Sequence, residues 1–256
     1  MPLMKERLAT ITTSRGAMEA FIAHPRESAP FSAVIVYMDI WGMREELFDI
    51  ARRIGTAGYY CVVPDLYHAQ GRIRNEFRNE ENRTISYTRL TKDQQEKVMG
   101  PRRKLTDAMV VDDTSSILDF IRNGEPVRDG PLGCVGFCMG GRHALRIAAE
   151  LSSHFRACAC LHGTSLVTSE PDSLHLTVGN AKGEIYCGFA ELDPDGSRET
   201  IETISRSLRN SEARFNYELH EGAEHGYALP DRDIHDKAAA DRDWEHIFAM
   251  FRRQLQ

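Results

Sequence analysis

The chain has 256 residues, 41% of them hydrophobic and 27% charged, with a formal charge of -6. That length can build a sizeable core, and the acidic balance (pI about 5.9) argues against binding a phosphate backbone and so against nucleic-acid partners. A mean hydropathy of -0.42, with no apolar run near ~18 residues, excludes a membrane-spanning helix.

Taken in chain order, the pattern alternates between strand-like and helix-like segments. Residues 8–12 and 17–23 read as an antiparallel lead-in to a sheet. Residues 34–38, Val-Ile-Val-Tyr-Met, form a β-branched run of the kind buried on both faces of a parallel sheet. An amphipathic helix is predicted over 43–57, then a strand over 59–63 closed by Pro64, which cannot continue a central strand. Further strands are predicted over 132–136, 157–161, 184–189 and 214–219, and helices over 106–122, 141–152, 197–210 and 234–256. Alternation of this kind implies right-handed βαβ crossovers and a mostly parallel central sheet with helices on both faces. With no repeat or low-complexity linker, residues 1–256 read as a single α/β domain.

Residues 67–105 break the rhythm: the stretch is charged and carries no strand signal. An insertion of this length after a strand is expected to be either a lid over the site or a decorated surface.

The N-terminal stretch Met1-Pro2-Leu3-Met4-Lys5-Glu6-Arg7 lacks the apolar segment and small-residue cleavage site of a secretory signal. The six cysteines include no Cys-x-x-Cys pair that would suggest zinc, and a reducing, cytoplasmic location is the simplest expectation. Cys61, Cys134, Cys158, Cys160 and Cys187 fall in apolar β-like runs, where cysteine behaves as a small hydrophobe. Cys138 does not.

Cys138 sits in Gly136-Phe137-Cys138-Met139-Gly140-Gly141, where a short apolar strand runs directly into a helix. This is the strand–turn–helix context of a nucleophile elbow, with cysteine in place of serine. Gly136 and Gly140 stand where a β-carbon would clash with neighbouring backbone, and the free N–H groups of the following helix favour a thiolate. The N–H of Met139, just after the nucleophile, is one expected oxyanion donor.

Such a nucleophile needs an acid and a base, in the chain order nucleophile, acid, histidine. Of ten histidines, His225 is favoured because it lies between small residues in a loop after the strand 214–219. His162 is a weaker competitor, and His220 is expected to serve packing or the surface. After the strand 184–189, Glu191, Asp193 and Asp195 are candidate acids. Asp193 is favoured because Pro194 fixes a turn beside it, while Asp195 reads equally as a turn or cap residue.

These motifs resemble the dienelactone hydrolase family, a branch of the α/β-hydrolase fold with a cysteine nucleophile. The resemblance rests on Val62-Val63-Pro64-Asp65-Leu66-Tyr67, the Cys138 turn and Gly222-Ala223-Glu224-His225-Gly226-Tyr227, and runs from Val34 to the C-terminal helix. It implies a triad of Cys138, Asp193 and His225, a second oxyanion donor at the N–H of Ile40, and an acidic residue at Asp39 that pairs with the resting thiol. Family members hold a substrate carboxylate with arginines, one of them four residues after the histidine. That position is Leu229 here, with Arg232 out of register, which weakens the case for an acidic substrate; the insertion offers Arg83 or Arg89 as candidate clamps, although each is expected first as a surface arginine.

The expected activity is hydrolysis of an ester or enol-lactone, a carboxymethylenebutenolidase-like reaction through a thioester, with no metal or organic cofactor. Rivals on the same triad are a small-ester carboxylesterase, a thioesterase or a hydrolase of activated phosphoesters. A rival of another class is a hydrolase-fold binding or redox-sensing protein whose Cys138 is oxidised rather than turned over.

Overall fold

The computed structural model describes residues 3–26 and 30–256. Met1 and Pro2, which belong to the stretch read above for a signal, lie outside it. An eight-stranded sheet runs in the order β1-β2-β4-β3-β5-β6-β7-β8. Strands β1 (Met4–Thr13) and β2 (Gly16–Pro25) form the antiparallel lead-in, and β2 pairs antiparallel with β4 (Tyr60–Pro64). From there β3 (Ala33–Tyr37), β5 (Leu132–Phe137), β6 (Phe155–Leu161), β7 (Lys182–Ala190) and β8 (Glu212–His220) are all parallel to their neighbours. Every residue of β3, β4 and β5 is buried, which is why these strands read as continuous apolar runs rather than as alternating ones.

Helices cover both faces, as the alternation requires. On β5, a β-carbon at Gly133 would meet Leu255 and Phe251 of α6 (Lys237–Leu255). The next residue, Cys134, points its thiol the other way, 3.8 Å from the carbonyl of Ala144 in α4 (Met139–Glu150). Successive strand residues face opposite sides, so α6 and α4 lie on opposite faces. Helix α1 (Glu45–Thr56) joins the α6 side, with Arg53 over the Trp244 ring at 4.7 Å. On the α4 side, Asp107 of α3 (Asp107–Arg122) ties the two helices by accepting from Arg142 and Arg146. The remaining helix of that pattern, α5 (Arg198–Leu208), is capped by Ser197.

Two differences from the sequence expectations have local causes. The helix after the elbow starts at Met139, two residues earlier than predicted, because Cys138 is itself its N-cap residue. The insertion carries a helix that periodicity does not reveal, α2 (Lys92–Arg103), opened by a capping box in which Thr91 and Gln94 each accept from the other's backbone N–H. Only Val98 of that helix is fully buried, so it has no apolar stripe to read. The five cysteines assigned to strands are all buried there, and all six are free thiols.

Candidate active site

The parallel topology brings the carboxyl ends of β3, β5, β6, β7 and β8 to one edge of the sheet, where open α/β folds place their ligands. Cys138 follows β5 directly, with φ 56° and ψ -119°. A non-glycine residue there carries strain of order ~1–3 kcal/mol. The neighbouring glycines explain how the turn closes. A β-carbon on Gly136 would overlap the Gly140 carbonyl, and one on Gly140 would overlap the Tyr37 carbonyl and come within 2.6 Å of that of Met38.

The acid and base converge on this turn from the next strands. Asp193, 4% exposed, lies three residues past β7 and caps a short 3-10 turn over Pro194–Gly196. Its Oδ1 accepts from the Asp195 N–H at 3.0 Å, and its Oδ2 lies 2.6 Å from Nδ1 of His225. The other ring nitrogen of His225 is left for Cys138, whose side chain acts on the imidazole. Burial alone would lower the His225 pKa, but the charge of Cys138 and the hydrogen bond to Asp193 outweigh it and hold the imidazole well above its ordinary value. Asp195 is instead used locally, accepting the Ser165 N–H at 2.8 Å, and Glu191 accepts that of Gly222 at 2.8 Å.

His162, at the end of β6, is buried beside both partners. Its Nδ1 accepts the Cys138 N–H at 3.1 Å, a donor shared with the Leu161 carbonyl at 3.0 Å, and its ring stands edge-on to His225 at 5.0 Å. Its Nε2 has no partner among the described residues. Burial, His225 and Arg232 hold its pKa well below the usual value, so it is neutral and holds the nucleophile's backbone. Because the unfolded imidazole binds protons below pH ~6.5 and the folded one does not, His162 costs stability as pH falls through that range. Relative to a His162→Asn variant, the wild type should therefore lose stability between pH 7.5 and 5, approaching ~1.4 kcal/mol per pH unit at the acid end. Urea melts at both pH values check this; a wild-type margin independent of pH would contradict it.

The loop after β3 completes the edge. No backbone or side-chain acceptor among the described residues takes up the N–H of Ile40 or of Met139. The Ile40 carbonyl accepts from the Tyr67 hydroxyl at 3.2 Å, which fixes the Ile40–Trp41 peptide that follows this N–H. Asp39 is almost fully buried, yet both its oxygens are occupied: Arg44 donates to them at 2.6 and 3.0 Å, and the Trp41 N–H adds a bond of 3.0 Å. Glu46 flanks the same guanidinium, and although burial acts against it, the two carboxylates raise the Arg44 pKa. The carboxylate expected to pair with the resting thiol thus hydrogen-bonds to arginine and backbone.

A cavity of about 390 Å³ opens over Cys138 and His225. The insertion supplies Ser86, Tyr87, Thr88, Met99 and Arg102 to its wall. Arg83 and Arg89, the candidate clamps, are used elsewhere. Arg83 donates to the Pro230 carbonyl, and Arg89 pairs with Asp233 at 2.9 Å and Glu224 at 3.0 Å, so both fasten the insertion to the His225 loop. The cations in the cavity wall are Arg102 and Arg232. Arg232 lies over Trp41, its guanidinium carbon 4.8 Å from the ring centroid, and is 4% exposed. Among the described residues its side chain makes no hydrogen bond, and its nearest carboxylate, Asp39 at 3.9 Å, already serves Arg44. Burial without a close counter-ion lowers its pKa. Sequence register discounts Arg232; the turn after Leu229, where the Arg232 N–H bonds back to the Leu229 carbonyl, carries it into the cavity.

Among the described residues no helix is long and apolar enough to cross a membrane, and no cluster of three or more potential metal ligands occurs.

Comparison with known proteins agrees with this architecture. A Synechocystis protein described as a carboxymethylenebutenolidase is 23% identical over 99% of this chain and 98% of its own. An Escherichia coli K12 protein of the same description is 26% identical over 92% of this chain and 82% of its own. A Klebsiella pneumoniae structure described as a dienelactone hydrolase superposes with a TM-score of 0.83 at 21% identity, covering 98% of this chain and 99% of its own. A dienelactone hydrolase-like promiscuous phosphotriesterase from metagenomic libraries superposes with a TM-score of 0.77 at 17% identity over 99% of both. The family model of the dienelactone hydrolases matches residues 18–255. With the α/β-hydrolase sheet and a match over nearly its whole length, this chain belongs to the dienelactone hydrolase family.

Proposed function

We propose that the protein hydrolyses an ester or enol-lactone by covalent catalysis, with Cys138 as nucleophile, His225 as acid and base, and Asp193 as the group that orients His225. The observation that carries this is the Asp193 carboxylate 2.6 Å from Nδ1 of a histidine whose other face meets a strained cysteine at a helix N-terminus. The Cys138 thiolate adds to the carbonyl carbon, and the developing oxyanion is received by the N–H groups of Ile40 and Met139. The carbon–oxygen bond then breaks, and His225 gives its proton to the departing oxygen. Water attacks the thioester with its proton passing to His225, and the thiolate leaves as the acid product forms. Asp193 holds the imidazole in one tautomer throughout. A thiolate leaves about as readily as it attacks, so activated esters and enol-lactones suit this site better than amides. Asp39, clamped by Arg44 and the Trp41 N–H, serves in this scheme to hold the Ile40 loop. A reducing cytoplasm fits a chain with six free thiols and a nucleophile that works only when reduced.

Arg232 and Arg102 favour a substrate that carries an anionic group beside the scissile bond. A buried guanidinium with no hydrogen bond is costly, and a carboxylate on the substrate would satisfy it bidentately. The test is a panel of activated esters and lactones matched in pairs with and without a carboxylate. The carboxylate-bearing member should be preferred, and Arg232→Met should reduce that preference in kcat/KM by roughly 100-fold, the scale of one desolvated charge pair. Equal turnover of both members, unchanged in the variant, would point instead to a general small-ester carboxylesterase.

A further inference from the structure

Helix α6 presents an apolar stripe to the sheet through Ala239, Ala240, Trp244, Ile247 and Phe251, and one charged residue, Asp243, lies on it with no exposure at all. A carboxylate so buried must be fully hydrogen-bonded. Its partners come from three places that otherwise have little in common. Oδ1 accepts from the hydroxyl of Tyr186 in β7 at 2.7 Å and from Nε2 of His220, the last residue of β8, also at 2.7 Å. Oδ2 accepts from the hydroxyl of Tyr227 at 2.6 Å. The bare Cα of Gly188 leaves room for this last contact, since a β-carbon there would meet both the Tyr227 hydroxyl and the Asp243 carboxylate.

Tyr227 is two residues past His225. Its N–H donates to the Glu224 carbonyl at 3.1 Å, closing the four-residue turn that carries His225, and Gly226 within that turn has φ 102°. The Tyr227 carbonyl accepts from the Asp236 N–H at 3.1 Å and from His235 at 2.8 Å, and its ring lies 5.5 Å from that of His162. Tyr227 is therefore the fixed end of the turn, and His225 hangs from it beside a flexible glycine. Among the described residues, the side-chain hydrogen bond of His225 to protein outside the Cys138 contact is the one to Asp193. That bond sets the ring's angle, whereas the height of the loop over the sheet edge is set by its anchors on either side of His225: the Ala223 carbonyl, which accepts from the Leu192 N–H at 3.0 Å, together with the Arg89–Glu224 pair before it, and Tyr227 after it.

We infer that Asp243 is a positioning residue for His225, acting through the Tyr227 hydroxyl to hold the histidine turn at the height where its ring meets Cys138. The inference rests on the triad proposed above. Imidazole and sulfur must hold their distance for the proton to pass, and a displacement of about 1 Å is enough to cost ~100-fold in rate.

The experiment compares Tyr227→Phe, which deletes one hydroxyl and keeps the ring, with Asp243→Asn, which keeps the shape and removes the charge. Each full-length variant is assayed on an activated aryl ester for kcat and KM separately, and for the rate of Cys138 alkylation by iodoacetamide from pH 5.5 to 9. Positioning predicts a kcat lower by ~10- to 100-fold with KM within about twofold, and alkylation that requires higher pH than in the wild type. The double variant should lose no more than the worse single one, because both changes break the same bond. Variants with a lowered melting temperature but wild-type kcat and alkylation profile would overturn the inference, leaving Asp243 a packing residue. Cys138→Ala, run alongside, separates the two levels. If it still turns over, the proposed triad fails; if it is inactive while Tyr227→Phe is unaffected, only the positioning role fails.

Discussion

Replacing Cys138 with alanine is expected to lower kcat for an activated ester by ~10⁴-fold or more while leaving the protein folded. The variant should be folded because the side chain contributes no hydrogen bond that the core depends on: the Cys138 backbone N–H is held by Leu161 and His162, and its carbonyl accepts from Gly141 and Thr164. Alanine also tolerates the positive φ about as poorly as cysteine does, so the strain is not changed by the substitution. What disappears is the sulfur, and with it the covalent route. Residual rate should come from the N–H groups of Ile40 and Met139, which still polarise a bound carbonyl. His225→Ala should be nearly as damaging, and the double variant no worse than Cys138→Ala, since a nucleophile and its base act as one unit. Iodoacetamide should abolish turnover in the wild type in proportion to the alkylated fraction. Turnover by Cys138→Ala at the parental rate would remove the mechanism. A single stoichiometric burst in the wild type, followed by silence, would favour the thiol as a sensor instead.

These expectations rest on residues that the amino-acid sequence alone singles out. The strand–Gly-x-Cys-x-Gly–helix pattern marks Cys138 because the backbone of that turn tolerates few alternatives, and the continuous apolar runs mark the parallel strands because both their faces are covered. Asp193 can be preferred over Asp195 because it follows β7 by a few residues and Pro194 fixes a turn beside it, and its carboxylate lies against His225. The cavity wall is not legible in the same way. Arg232 reaches the cavity through an irregular turn with no periodicity, and Arg102 through a helix with one fully buried residue. The one signal that helix carries is Thr91 followed three residues later by Gln94, a capping box that stands in a stretch too charged to suggest a core-facing helix. The Arg44–Asp39 clamp has no local signature either. Arg44 precedes α1 as an extended N-cap residue whose side chain turns inward, and a sequence containing many arginines does not reveal which one is buried. Asp243 is a partial exception: an acid on the apolar stripe of an otherwise readable helix is a sign of a buried partner, though not of which one.

Gly140→Ala should be among the most disruptive single-methyl additions in the chain. Its β-carbon would run into the Tyr37 carbonyl, lie 2.6 Å from that of Met38, and press on the Tyr37 carbonyl carbon at 2.7 Å. All of these are backbone atoms at the end of a fully buried strand, so no side chain can swing aside to relieve the overlap. Overpacking that moves side chains costs ~1–3 kcal/mol, and moving the backbone at the end of β3 against the first turn of α4 belongs at or above the top of that range. For a chain of this size about 3 kcal/mol corresponds to a melting temperature lower by roughly 6–12 °C. Gly55→Ala is the matched control: its β-carbon would overlap only the terminal methyl of Met4, a half-buried flexible side chain, with the Ala23 carbonyl at an ordinary 3.5 Å, and the gain in helix propensity offsets the adjustment to within ~1 kcal/mol. The activity of the surviving folded fraction distinguishes strain from geometry. Tyr37 and Met38 immediately precede Asp39 and Ile40, so pushing the elbow off their carbonyls widens the gap between the Ile40 and Met139 N–H groups. A folded Gly140→Ala protein should therefore lose kcat by considerably more than its unfolded fraction accounts for. Normal specific activity per folded molecule would mean that the Ile40 N–H is not an oxyanion donor, and that the close approach of β3 to the elbow serves stability alone.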